Sequence, residues 1–516
     1  MEATLSFGFS FVALVVIVGM VARVLNLLWL KPKRLERFLR EQGLKGNSYT
    51  PLFGDLKQMH VMTKAAESKP INIADDTLTR ALPFHQFIVQ KYGKNSFLWF
   101  GPTPVVNIMK PEQIKYVFNK NYDFPKPPIS PLANFLLTGL SHQEGEKWAK
   151  HRKIVNPAFH LESLKLMLPA FYQCCEEMMD KWETLVSPDG SCELDVWPSF
   201  HNLTGDVISR TAFGSSYEEG KRIFQLQVEL AKYTTVLVRS IYIPGWRFLP
   251  TKVNRRMKEL QQEMHGLIRE MIQKREKAKK AGEAPKDLLG SLLESNFREL
   301  QEHGNHNNVG LTTEEVINEC KLFYFAGHET TSVLLNWTMV LLSRFPEWQA
   351  RAREEVVQEF GTNKPDYDGL NRLKIVTMIL YEVLRLYPPA TVLQREVRKE
   401  TKLGDLTLPA GTRIWIPTFL VHQDKELWGN DVKEFKPERF YEGVLKATKG
   451  QVSYLPFGWG PRICIGQNFS LIEAKMALSL ILQRFSFELS SSYAHAPHLV
   501  LTLQPQFGTH IILHKL

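Results

Sequence analysis

A mainly α-helical chain with at least one small β-hairpin, behind a single N-terminal membrane span, is the fold class this sequence predicts. Three observations carry that reading. An uncharged apolar run, Leu5 to Ala22, continues past Arg23 to Leu30, long enough to cross a bilayer. Apolar residues then recur at helical spacing through most of the chain, while two short apolar runs flank the turn Gly101-Pro102-Thr103-Pro104. No Gly/Ser/Pro linker divides the 516 residues. They therefore read as an anchor (1–30), a basic and Gly/Pro-containing hinge (31–54) and one large domain (55–516).

The anchor comes first. Arg23 lies near one end of the run and reaches the interface by snorkelling. Lys31, Lys33, Arg34, Arg37 and Arg40 follow directly, so the positive-inside rule leaves the bulk of the chain in the cytosol. With no basic stretch ahead of it and no clean small-residue cleavage site, the run reads as a retained signal anchor. On that topology the sequons at Asn202 and Asn468 never meet the glycosylation machinery. The five cysteines (Cys174, Cys175, Cys192, Cys320, Cys464) are sparse and odd in number, which points to a reducing compartment and away from a disulfide framework. The net charge of +10 is spread along the chain, so nothing points to nucleic acid.

Beyond the hinge, Ser96–Phe100 and Val105–Met109 form the expected hairpin, and Asn121 to Ser141 is proline-rich and irregular. The pattern is then mostly helical to about Leu300, interrupted by an apolar loop (Ile241 to Pro250) and a charged, loop-like stretch (Lys277 to Lys286). Trp148 and Arg152 project from one face of a helical segment, a spacing that by itself signifies only packing. After a polar loop, Gly304 to Gly310, one long helix is expected from Thr312 to Arg344, with Thr312 or Thr313 as N-cap and Glu315 in the first turn. Its middle, Ala326-Gly327-His328-Glu329-Thr330-Thr331, interrupts the apolar pattern, and a glycine with a polar cluster inside a buried helix is costly. Small residues at 326 and 327 would open a groove there. His328-Glu329 begins the zinc-protease pattern H-E-x-x-H, but position 332 is serine and that reading fails. Glu382 and Arg385 lie three apart on a helix, Thr377–Tyr387, that Pro388-Pro389 ends. Arg439 follows in Pro437-Glu438-Arg439-Phe440.

The most specific signal is Phe457-Gly458-Trp459-Gly460-Pro461-Arg462-Ile463-Cys464-Ile465-Gly466. An isolated cysteine is usually one more small buried residue. Here F-x-x-G-x-R-x-C-x-G is matched at every defined position, which chance supplies in on the order of one chain in ten thousand of this length. Glycines let the backbone fold tightly around sulfur, and the helix expected over Gln467 to Leu482 favours negative charge at its N-terminus. Arg462 is placed to meet an anion.

Together these motifs resemble the cytochrome P-450 superfamily over essentially the whole chain. Asp206–Gly214, Ile243–Trp246, Cys320–Gly327 and Tyr381–Pro389 look more narrowly like the plant clan of secologanin synthase and the oleanane triterpenoid oxidases. The resemblance implies a mainly α fold with small β-sheets and a haem b whose iron is held by the Cys464 thiolate, which favours O–O cleavage. It implies cofactor contacts from Phe457, Trp148, Arg152, Arg395 and Arg462, the arginines and Trp148 serving the propionates. Thr330 and Glu329 would relay protons to dioxygen, and Glu382, Arg385 and Arg439 would form a buried structural triad. Leu132, Phe135, Phe325, Ala326, Val392, Leu393, Leu501 and Thr502 are the substrate-contact candidates, each of which equally reads as plain core. The implied activity is O2-dependent hydroxylation or repeated oxidation of a cyclic terpenoid, with a triterpenoid or steroid-type skeleton first and an iridoid or gibberellin second. Electrons would come from an NADPH-cytochrome P-450 reductase in the endoplasmic reticulum membrane, since no nucleotide-binding motif occurs in the chain. A haem-thiolate isomerase or dehydratase, needing no reductase, is the rival of another class, and Thr330 argues against it.

Overall fold

The structure is a computed structural model that describes residues 2–129, 133–136, 138–214, 217–238, 245–282, 287–303 and 309–516. Leu132 lies outside these residues, as do parts of the irregular stretch 121–141 and of the three loops expected at 241–250, 277–286 and 304–310. The chain is helical from Glu2 to Glu41, including a π-turn at Asn26–Leu30. Its apolar part, with a mean hydropathy of 2.5 and no buried residues in the window, is long enough to span a membrane. The basic half of the expected hinge is thus helix, because Pro32 fits a first turn and Glu36 pairs with Lys33 and Arg40 at 2.9 and 3.0 Å.

Two compact units make up the described chain. The first holds Met1–Ala66, Leu82–Pro127 and Gln394–Pro417. Its strands Lys45–Gly46, Ser96–Phe100, Thr103–Asn107 and Arg413–Ile416 pair in that order, with Leu393–Glu396 at the edge. Phe97, Trp99, Val105, Val106 and Ile414 form the sealed core between them. The hairpin's first strand is the expected Ser96–Phe100, and its second lies two residues earlier than the expected Val105–Met109, after a two-residue turn at Gly101-Pro102. Pro104 pairs with Trp99 but precedes the parallel pairing to Arg413–Ile416, which starts at Val105, so its missing N–H leaves no partner unmet on that side. Arg395 belongs to this unit, buried with its guanidinium 4.9 Å from the Phe118 ring centre.

The second unit, Glu67–Ala81, Pro128–Leu393 and Thr418–Leu516, is the helical body. Its central Thr313–Arg344 helix starts with a full capping box: Thr312 Oγ1 accepts from the Glu315 amide, and the Glu315 carboxylate accepts from the Thr312 amide at 3.0 Å. The helix over Lys252–Lys280 runs well into the stretch 277–286 expected as loop. Met257, Leu260, Met264, Ile268 and Ile272 give it a buried stripe, and its many charges simply occupy the wet face. The helix carrying Glu382 spans Lys374–Leu386, starting three residues before and ending one residue before the expected Thr377–Tyr387. Glu355, from the preceding Pro346–Phe360 helix, accepts from the amides of Lys374, Ile375 and Val376 at 2.6, 2.8 and 3.0 Å and so supplies the cap. A three-stranded sheet (Ser191–Asp195, His510–Lys515, Phe485–Leu489) and the hairpin Pro497–Leu499 with Leu503–Pro505 complete the unit.

Candidate active site

The cysteine loop is shaped by its glycines. Gly458 and Gly460 take φ of +73° and +74°, a region that side chains strain to enter. The loop closes where the Cys464 amide donates to the Phe457 carbonyl at 2.8 Å. Gly466 then starts the Gln467–Arg484 helix, of which Phe469, Ile472, Met476 and Leu480 are buried as their spacing predicts. Cys464 itself is exposed. Burial pushes the thiols of Cys174, Cys175 and Cys320 well up, which disfavours their thiolates, and raises that of the half-buried Cys192 as well.

Basic groups gather beside this loop. Arg152 donates to the Ile463 carbonyl at 2.9 Å. Burial pulls its guanidinium down, and the attraction of Cys464 opposes that pull. Arg462 pairs with Glu144 at 2.8 Å, donates to the Gln143 carbonyl, and stacks 4.7 Å from the Trp148 ring centre. Trp148 and Arg152, four residues apart on the Gly145–Val155 helix, are therefore both drawn to residues of the loop.

The Thr313–Arg344 helix approaches from another side. Thr331 donates to Ser470 at 3.0 Å, six residues past Cys464, and Phe159 packs between Phe323 and Phe469. This helix is buried along most of its length, yet Ala326 is exposed and Leu322, Phe325 and Thr330 are half-exposed. Positions 322, 326 and 330 share one face. The expected groove at 326 and 327 takes a different form, because a Cβ on Gly327 would sit 2.8 Å from Ile208 Cδ1. Gly327 is small so that the Val196–Phe213 helix can pack closely, and Ala326 is the more exposed of the two.

Thr330 and Glu329 bond to different partners. The Thr330 hydroxyl donates to the Ala326 carbonyl at 2.8 Å, whereas the buried Glu329 carboxylate accepts from Thr502 at 2.7 Å and from Gln504. Gln504 is a site residue that sequence reading missed. His328 and His201 bond each other at 3.0 Å, and burial holds His328 neutral, with its pKa pushed down to about 3. With Glu329 they form a possible metal-ligand cluster, but each already has its own partner.

Elsewhere in the unit, Glu382 and Arg385 are fully buried and joined by two bonds of 2.8 Å, and Arg439 reaches Glu382 at 3.3 Å. Arg385 also donates to the carbonyls of His422, Val432 and Glu434. Asp431 takes the other side of Arg439, whose hydrogen bond pulls that carboxyl down to about 2. Of the substrate candidates, Phe135, Val392, Leu393 and Leu501 are half-buried, and Thr502 is buried with its hydroxyl committed to Glu329.

Known proteins match this chain closely. The Cytochrome P450 family description fits residues 81–509. Cytochrome P450 CYP72A219 of Panax ginseng is 59% identical over the whole of both chains. Cytochrome P450 72A15 of Arabidopsis thaliana is 58% identical over 98% of each, and cytochrome P450 72A68 of Medicago truncatula is 57% identical over 96% of this chain and 95% of that one. Among solved structures, retinoic acid-bound cyanobacterial CYP120A1 shares the fold, with a TM-score of 0.74 and 22% identity over 92% of this chain and 99% of its own. That family carries haem on a cysteine thiolate, and the residues present fit such a group: an exposed thiol in a loop beside half-buried arginines, and an open stripe on an otherwise sealed helix. The chain belongs to the cytochrome P450 family of haem-thiolate monooxygenases, alongside the plant 72A members.

Proposed function

We propose that this monooxygenase oxidises a cyclic terpenoid, with a triterpenoid or steroid-type skeleton as its substrate class, at the endoplasmic reticulum. The motif pattern shared with oleanane oxidases supports the substrate class, as does the apolar character of Phe135, Phe325, Val392, Leu393 and Leu501, left half-buried where ordinary core would be sealed. Cys464 is the proposed axial ligand, with Phe457 beside it. Trp148, Arg152 and Arg462 are the proposed partners of the haem carboxylates, and Arg395 is assigned the same role. The single observation that carries the site is Cys464, exposed beside Arg152 in the glycine-shaped loop while Cys174, Cys175 and Cys320 are buried. When bound, haem supplies dioxygen activation and accepts electrons delivered by an NADPH-dependent reductase. Microsomes carrying this chain and that reductase, assayed against a panel of triterpenoids, steroids, iridoids and gibberellins, test the reading. Product from the iridoids or gibberellins alone would overturn it.

Thr330 is the proposed donor that positions a proton for the reaction, with Glu329 replenishing it. Thr330→Ala should therefore bind substrate normally while product per NADPH falls about 10²-fold and free peroxide rises. An unchanged ratio would reduce Thr330 to a helix residue bonded to Ala326. Topology has its own test. If the basic residues from Lys31 hold the body in the cytosol, protease added to intact microsomes digests everything beyond the anchor. A protected or glycosylated chain would reverse the orientation.

A further inference from the structure

Glu329 is held from a part of the chain far away in sequence. The C-terminal hairpin pairs Leu499 with Leu503, and the backbone beyond its tip is fixed at one residue from two directions. The Trp337 indole donates to the Leu503 carbonyl at 2.7 Å, and the Leu503 amide donates to the Pro389 carbonyl at 3.2 Å. Leu503 is itself fully buried. Alternate residues of an extended segment share a face, so pinning Leu503 inward aims Thr502 and Gln504 together. Both land on Glu329 Oε1, the hydroxyl from 2.7 Å. Glu329 and Trp337 lie two turns apart on the Thr313–Arg344 helix, so this one helix both anchors the hairpin and receives its two donors.

We propose that Gln504 and Thr502 are positioning residues of the monooxygenase reaction. They fix the orientation of the Glu329 carboxyl group, and so the frequency with which its other oxygen, protonated in turn from solvent water, can pass that proton toward Thr330. This rests on the relay assigned above to Glu329 and Thr330. A carboxylate with two fixed donors on one oxygen keeps the other oxygen aimed, whereas one with a single donor swings. The wasteful release of peroxide is then controlled by the hairpin as well as by the central helix.

The test uses the full-length, haem-loaded chain with its reductase, and takes as a condition a normal reduced-CO spectrum in each variant. Gln504→Leu should lower product per NADPH about tenfold, the size expected when a partner that only orients a working group is lost. Peroxide should rise to match, with substrate affinity unchanged. Gln504→Lys, which restores an N–H donor, should recover most of the ratio, and the isosteric Gln504→Glu, which replaces a donor with a repelling oxygen, should fail as Gln504→Leu does. A second readout needs no turnover: Gln504→Leu should lower Tm in the wild-type background and leave it unchanged in a Glu329→Leu background, where no carboxylate remains to be held. If Glu329→Leu uncouples while Gln504→Leu does not, the positioning role is overturned and the relay stands. If Glu329→Leu leaves the ratio unchanged, the relay falls and the positioning role with it. Equal Tm losses in both backgrounds would also overturn the proposal, because the side chain would then be acting through packing alone.

Discussion

Cys464→Ser is expected to abolish the long-wavelength Soret band of the reduced, CO-bound protein and to bring turnover to background. Serine keeps the side chain's size and leaves the glycine-shaped loop intact, so the change isolates the sulfur. A thiolate is a soft, electron-donating ligand, and a neutral hydroxyl is neither. The loss should exceed the roughly 10- to 100-fold penalty seen when only a supporting neighbour of a ligand is removed. Cys174, Cys175 and Cys320 offer no substitute, since burial raises their thiols, and Cys192 sits on the Ser191–Asp195 strand rather than in the glycine-shaped loop. The spectrum of the reduced CO complex decides the matter, read beside circular dichroism to show that the helical body has formed. A variant that kept the thiolate band would move the ligand away from Cys464.

Much of this molecule is legible in the sequence because its strongest signals are local. The capping box at Thr312 and Glu315 spans three residues, and the Cys464 loop spans ten with its glycines at fixed offsets. A charged stripe misled at Lys277 to Lys280, where charge marks the wet face of a helix as readily as a loop. The cap on the Lys374–Leu386 helix was hidden for another reason. Glu355 reaches it from the helix before, and no periodicity records a carboxylate turned toward another element's amides. Gly327 carries a similar lesson. The sequence shows a missing side chain, and only the position of Ile208 shows which neighbour needs the space. Longer separations hide more. Glu329 receives its two donors from 173 and 175 residues away, so reading Glu329 beside Thr330 as a pair misses where the carboxylate is tied.

Glu382→Ala should leave little folded protein. Glu382 and Arg385 are both fully buried, and the carboxylate gathers four donors: Nε and Nη2 of Arg385 at 2.8 Å each, the Lys436 amide at 3.0 Å and Arg439 at 3.3 Å. Alanine removes the only carboxylate paired with Arg385 among the described residues, leaving a sealed guanidinium beside three backbone carbonyls. Breaking a buried pair by deleting one partner costs about 3–5 kcal/mol. Native stabilities of about 5–15 kcal/mol leave small room for that loss. Arg439 would keep Asp431 at 2.9 Å, so the damage centres on Arg385 and on the backbone from His422 to Glu434 that its guanidinium holds. Glu382→Gln keeps the shape and one acceptor oxygen while losing the charge, and should fall between wild type and alanine. Limited proteolysis with thermal unfolding measures the order. A Glu382→Ala chain melting at the wild-type temperature would mean that the backbone carbonyls alone satisfy the buried arginine.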